Sequence, residues 1–460
     1  MVAQPAAWGL TMKTHWQAWR DRRGERGRVL SRQRARITEL VCFARANSPF
    51  YRAHYADLTR DFRLTDLPPT SKPELMDRFD EWVTDPAVRL AEVEAHLADP
   101  ARIGTLFRDR YLVSTTSGSS GQRAVVLQDE RMRSVSTALG ALRTMPALGP
   151  GLLRRVAAEG GRMASLVATD GHFGGVATAE FQRSRRASRA ERLRLFSVHA
   201  PIAETVAELN EYQPTMLGGY ATAQVALAHE QLAGRLRIAP ALVTTGGEAI
   251  PAADRELLAQ AFGAEVRNQY GCSEFMLLTF ACALDRLHVN DDWAVLEPVD
   301  ERGRPVTPGM PSTSVLLTNL ANRVQPIIRY DLGDAVTVDA DFCGCGRQFP
   351  TVRVQGRTND LLALRAPDGS TVRLLPLAVT TVVDGLPGVR RFQIVQTAPD
   401  RLQVRVAATT EDAWPLLRDK LCGYLARQGL GTVDVSLDPR PPERDLVTGK
   451  FKLVLVAKAD

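Results

Sequence analysis

Residues 240–274, PALVTTGGEAIPAADRELLAQAFGAEVRNQYGCSE, decide the architecture. The segment opens on β-forming residues, PALVTTGGE, which end in a glycine pair. It continues through the amphipathic run ADRELLAQAFG and closes on a second strand and loop, AEVRNQYGCSE. Upstream, MASLVATD (163–170) reads as a strand and IAETVAELNEY (202–212) as a helix. TMLGGY (215–220) is a strand and turn, followed by the helix ATAQVALAHEQLA (221–233). Short strands alternating with amphipathic helices argue for α/β architecture with substantial parallel sheet. Ligands of such sheets sit beyond the carboxyl ends of the strands, where TTGGE and NQYGCSE fall.

Outward from this core, residues 15–60 read as helices closed by Pro49, and LPPTSKPELMDRF (67–79) as a turn entering a capped helix. DRYLVSTTSGSSGQRAVVLQD (109–129) reads as strand, polar loop, strand. Residues 285–355 are β-rich, with turns at DERGRPVTPGMP and YDLGD. Residues 361–460 read as a small α+β unit, with a hairpin at 390–408 and a helix at 413–429. The expected domains are 1–359 and 360–460, with the boundary near Asp360.

Composition sets the outer limits. The chain has 460 residues, a formal net charge of +6 and a pI of about 9.1, too modest an excess to argue for nucleic acid. Basic residues cluster at 20–36 and 183–194, either as solvated helix faces or as a landing surface for an anionic partner. No apolar run reaches the roughly 18 residues of a membrane span, and the N-terminus has no apolar segment of the secretory kind. The expectation is a cytoplasmic protein, monomer or homodimer, with small-molecule partners and neither nucleic acid nor membrane. Six cysteines in this length do not make a disulfide scaffold. Cys42 and Cys422 stand alone and are expected to be buried apolar residues. Cys343 and Cys345, in DFCGCGRQ, have a spacing that suits metal ligation.

The loop STTSGSSGQR (114–123) is either a flexible linker or a phosphate cradle, and it is not a Walker A sequence. What weighs it is the ordered set downstream: TTGGEAIP (244–251), NQYGCSE (268–274), RYDLGD (329–334), QGRTND (355–360) and TGK (448–450). The set resembles the adenylate-forming ligases, in their usual order and over most of the chain. With LPPTSKPEL, GHFGG, PIIRYDLGD and CGCGR it is similar to the phenylacetate–CoA ligase branch. The resemblance implies a large N-terminal adenylation domain of sheets flanked by helices, with a small mobile α+β C-terminal domain. It implies ATP-dependent conversion of an organic carboxylic acid, aromatic or cyclic, to an acyl-adenylate, with pyrophosphate released and the acyl group passed to CoA. The chemistry needs donors for the triphosphate, a metal ion and a movable positive charge at the α-phosphate.

On that resemblance Thr116, Ser117, Gly118, Ser119, Ser120 and Gly121 wrap the β- and γ-phosphates, and Arg123 stands where the family often has lysine. Gly246, Gly247 and Glu248 border the adenine; Asn268, Gln269, Tyr270, Gly271 and Ser273 complete the ATP site, with Tyr270 stacked on the base. Glu274 holds Mg²⁺. Asp334 accepts from the ribose hydroxyls and Arg357 supports the same sugar. Asp360 is the hinge, and Lys450 reaches the α-phosphate and the substrate carboxylate. His172, Phe173, Gly218, Gly219 and Tyr220 line the acyl pocket.

A second constellation is independent of ATP. Cys282 and His288 in FACALDRLH, with Cys343 and Cys345, offer three thiolates and an imidazole suited to tetrahedral, structural Zn²⁺. The alternative is four unrelated buried residues. The sequence departs from the resembled branch at LLALRAPDGSTVRLLP (361–376), where a hairpin turn replaces a glycine step. No Gly-Pro-Gly follows YGCSEFM. These departures move the chain toward relatives resembling coronafacate ligase and bring in an amine or a carrier protein as alternative acceptor. A non-catalytic nucleotide-binding module is the third reading.

Overall fold

The computed structural model describes residues 5–20, 25–59, 61–116, 123–248, 250–354, 362–374, 376–383, 386–408, 410–443 and 452–457. At its centre is a parallel sheet of five strands: β1 (Met163–Val167), β2 (Leu193–Ser197), β3 (Met216–Tyr220), β4 (Leu242–Gly246) and β5 (Glu265–Gln269). The spatial order is β2-β1-β3-β4-β5, the doubly wound order whose direction reverses between β1 and β3. In sheets of this order ligands bind outside the carboxyl ends of the two strands at the reversal. The helices Ile202–Tyr212, Ala221–Leu232 and Ala252–Phe262 fill the crossovers, matching the alternation at 202–274. The last ends in Gly263 at φ 59°, a left-handed cap that costs glycine little.

One position on β3 admits only glycine. Gly219 has φ 137°, and an added Cβ would lie 2.2 Å from the Leu166 carbonyl oxygen on β1. Gly219→Ala is expected to cost about 3 kcal/mol or more, combining backbone strain with a backbone clash. Chemical denaturation of the variant checks this.

An antiparallel sheet holds the pair Tyr111–Thr115 and Val125–Gln128 around the polar loop. Further antiparallel strands span 279–354 and carry the ribose and cysteine motifs. The C-terminal unit has the hairpin Leu362–Arg365/Thr371–Leu374 and a mixed sheet of four strands. In that sheet Val389–Ala398 and Arg401–Ala408 form the expected hairpin, and Ala413–Arg427 is the expected helix.

Two expectations are corrected. Pro49 does not close the helical region: Ser48 caps a new helix, Pro49–His54, by accepting from Tyr51 N at 3.3 Å, and proline suits the first helical turn. Cys42 is exposed and Cys422 half-buried, not core residues. In the helix Arg26–Asn47 the buried face runs through Ile37, Leu40, Val41 and Ala44, which turns Cys42 outward. The basic run 183–194 lies mostly on exposed faces of two helices, Gly174–Arg185 and Ala187–Arg192, as expected; its last two residues, Leu193 and Arg194, open the edge strand β2.

No helix among the described residues is long and apolar enough to cross a membrane.

Candidate active site and metal centre

The carboxyl edge of the central sheet gathers the motif segments. DGHFGG follows β1, Gly218, Gly219 and Tyr220 end β3, TTGGE ends β4, and NQYGCSE leaves β5. The polar loop is tied to this edge from the other side. Thr115 N donates to the His172 carbonyl at 2.7 Å, and Thr115 bridges Phe173. The base of the loop is braced where Thr116 N donates to Ala124 O at 3.0 Å and Ala124 N donates to Thr116 Oγ1 at 2.9 Å. Ser117, Gly118, Ser119, Ser120 and Gly121 lie outside the described residues, as do Arg357, Asp360 and Lys450. Arg123 is exposed at the loop's far end.

Two motifs sixty-four residues apart meet directly: the Tyr270 hydroxyl donates to Asp334 Oδ2 at 3.0 Å. Asn268 accepts from the Thr245 hydroxyl at 3.2 Å, which locks β5 to β4 at the edge. Gln269 Nε2 donates to the Met276 carbonyl at 3.4 Å, and Gly271 lies so close to Met276 that a Cβ would sit 2.1 Å from its oxygen. The Ser273 hydroxyl reaches the Thr115 carbonyl at 3.5 Å. Glu274 is buried, its carbonyl accepting from Asn319 Nδ2 at 2.8 Å. Burial, with the Glu274 carboxylate alongside, pushes the Tyr330 hydroxyl and the Cys272 thiol well above their ordinary values.

Gly247 has φ 75°, and a Cβ there would lie 3.1 Å from the Tyr220 ring, so the loops after β3 and β4 touch. The Glu248 carboxylate accepts from Thr222 N at 2.8 Å and from its hydroxyl, at the start of the helix Ala221–Leu232. A carboxylate suits that helix end. Burial still pushes the Glu248 carboxyl up. His172 is buried, with Nε2 3.2 Å from the Asp99 carbonyl and Nδ1 without a hydrogen-bond partner. Burial, aided by the nearby Arg123 charge, holds its imidazole below the ordinary value.

Arg329 explains how LPPTSKPEL joins the site. Its backbone is left-handed at φ 47°, and its buried side chain pairs with Glu297 at 3.1 Å and with the Leu67 carbonyl. Thr70 N donates to the Arg329 carbonyl at 3.0 Å, so the segment lies along the strand that leads to Asp334.

The four cysteine and histidine ligand atoms lie within 4.8 Å of one another. Cys282 Sγ is 3.8 Å from Cys343 Sγ, and Cys345 Sγ is 3.3 Å from His288 Nε2. Sulfurs on a tetrahedral shell of radius ~2.3 Å are roughly 3.8 Å apart. His288 Nδ1 donates to the Phe349 carbonyl at 2.9 Å, which fixes the tautomer that leaves Nε2 free to ligate. The donor set and its second hydrogen bond fit Zn²⁺.

Sequence reading missed Asp170 and His199 on the same edge. His199 follows β2, a short strand hidden at the end of an arginine-rich run; the β-forming residues of LRLFS were the available signal.

The architecture is that of the adenylate-forming ligases. Among solved structures the chain is similar to 2-hydroxyisobutyryl-CoA ligase in complex with 2-HIB-AMP and CoA in the thioesterification state, with a TM-score of 0.58 at 20% identity, covering 95% of this chain and 91% of that one. The same ligase in the postadenylation state with R3-HIB-AMP gives 0.56 at 19% identity, covering 95% and 91%. Among curated proteins, CapK of Staphylococcus aureus is 26% identical over 164 residues, a match spanning 35% of each chain. No family model matches the chain.

Proposed function

We propose that the protein activates an organic carboxylic acid with ATP, forming an acyl-adenylate and pyrophosphate, and passes the acyl group to CoA. The observation that carries this reading is the 3.0 Å hydrogen bond from Tyr270 to Asp334 at the carboxyl edge of the sheet. It joins the segment expected at the adenine to the one expected at the ribose. Asp334 would accept from the ribose hydroxyls with Arg357 in support, and Asn268, Gln269, Gly271, Ser273, Gly246 and Gly247 would frame the base beside Tyr270. Glu248 would act one step back, holding the TTGGE loop to Thr222. Thr116 to Gly121 and Arg123 would hold the β- and γ-phosphates, with Glu274 as the Mg²⁺ ligand. Mg²⁺ would neutralise charge on the triphosphate as pyrophosphate leaves.

The acid would lie in the crevice at the β1/β3 reversal, between His172, Phe173 and the Gly218-Gly219-Tyr220 wall, which suits an aromatic or cyclic group. Lys450 would bring a positive charge to the α-phosphate and substrate carboxylate. We place the division between the two domains at residue 360, with Asp360 as the hinge. Cys282, His288, Cys343 and Cys345 would hold Zn²⁺ as a structural ion, since all four positions are filled by protein ligands.

Carboxylate-dependent exchange of pyrophosphate into ATP tests the reading. Tyr270→Phe is expected to raise the KM for ATP about tenfold, the scale of one hydrogen bond to a charged group. The hydroxyl's loss should leave the melting temperature nearly unchanged. An amine or a carrier protein is the second reading for the acceptor, favoured by the hairpin Leu362–Arg365/Thr371–Leu374 where the resembled branch has a glycine step. A mass spectrum of the product formed with CoA or an amine panel separates the two.

A further inference from the structure

His199 stands two residues past β2, on the same carboxyl edge as the acyl and nucleotide segments. Its side chain is only 7% exposed. Nδ1 lies 3.0 Å from Asp170 Oδ2, in the loop after β1. Nε2 lies 2.7 Å from the Thr381 hydroxyl, on the helix Pro376–Val383 of the C-terminal unit. The ring meets Tyr424 edge-on, and its carbonyl accepts from Gln428 Nε2 at 2.6 Å. The Asp170 contact is at ion-pair distance without hydrogen-bond alignment, and the neighbouring His199 holds the Asp170 carboxyl below its usual range.

This arrangement borders a cavity of about 470 Å³ between the central sheet and the C-terminal unit. Asp170, Phe173 and His199 line it from one side, and Thr381, Lys420 and Arg427 from the other. Phe173 bridges Thr115 at the mouth of the polar loop, so the cavity reaches the segment expected at the acyl group. A carboxylate beside Nδ1 favours one orientation of the ring, leaving Nε2 as the atom that faces the cavity for proton exchange. The Thr381 hydroxyl already has a carbonyl to donate to, Ala378 O at 3.1 Å.

We propose that His199, oriented by Asp170, is the proton acceptor for the nucleophile in the transfer half-reaction. The proposal rests on the adenylation reading above. The lone pair of the incoming thiol or amine forms the new bond to the acyl carbon. The bond from that carbon to the phosphate oxygen breaks, AMP leaves with the electron pair, and the proton of the nucleophile passes to Nε2. Movement of the helix carrying Thr381 uncovers Nε2, which ties base availability to the position of the C-terminal unit. Asp419 also lines the cavity, so the charged groups facing the ring's surroundings are Asp170 and Asp419 against Lys420 and Arg427.

The test uses the full chain and separates the half-reactions. In His199→Ala and His199→Gln, pyrophosphate exchange should stay within about twofold of wild type. Single-turnover transfer from a supplied acyl-adenylate to CoA or amine should fall ~10²-fold or more, the scale of losing a positioned base. Added imidazole should restore part of the transfer in His199→Ala, which a tether could not do. Gln428→Ala, which removes a contact between the units without touching the ring, should transfer near the wild-type rate. Wild-type transfer in both His199 variants overturns the proposal, as does an equal loss in Gln428→Ala or a complete failure of imidazole rescue. Absence of exchange in the wild-type protein overturns the adenylation reading instead, and this proposal with it.

Discussion

Lys450→Ala is expected to slow adenylation by about 10²-fold or more, the effect of removing a charge aimed at a transition state. Pyrophosphate exchange reads this step directly. Transfer from a supplied acyl-adenylate should be nearly unaffected, because the C-terminal domain is expected to turn between the half-reactions and carry Lys450 away. The chain just beyond Lys450 is well anchored. The Lys452 carbonyl accepts from Gln393 Nε2 at 2.8 Å, and Val454–Val456 pairs in parallel with Ile394–Gln396. In sequence Lys450 stands four residues ahead of that strand. Equal loss of both half-reactions would contradict the division of labour.

The Cys₃His cluster carries the second large expected effect. Elemental analysis of the purified protein should find about one zinc per chain, and Cys282→Ser should bring that close to zero. Stability should fall with it, because the four ligands tie the strand Leu287–Val289 to the turn at 343–345, and metal affinity contributes directly to folding. The chain has its own core around the site, with Phe280 and Phe349 buried beside His288, so a lowered melting temperature is expected and global unfolding is not. A fully stable, metal-free protein would remove zinc from the account.

Much of this organisation was legible in the residues. The alternation from 202 to 274 located β3 to β5 and the helices between them, because periodicity changes cleanly there from two to 3.6. The Ser/Thr/Gly loop was placed correctly between two strands for the same reason. The edge strand β2 was hidden because arginines at 192 and 194 mimic a charged helix face. Its loss concealed His199, which no local motif marks. The Tyr270–Asp334 contact was invisible for another reason: no pattern within either segment records that a separate sheet brings them together. Glu248 was expected at the adenine, and its bonds to Thr222 depend on the start of a helix that lies before it in sequence. Cys42 shows the limit of composition arguments, since residue type suggested burial while helix phase set exposure.

Exchange of labelled pyrophosphate into ATP, run across a broad carboxylate panel with Mg²⁺, tests the central claim most directly. Acyl-adenylate formation predicts exchange that depends on at least one carboxylic acid and falls sharply in Lys450→Ala. A folded wild-type protein that binds ATP yet shows no carboxylate-dependent exchange with any acid would contradict it.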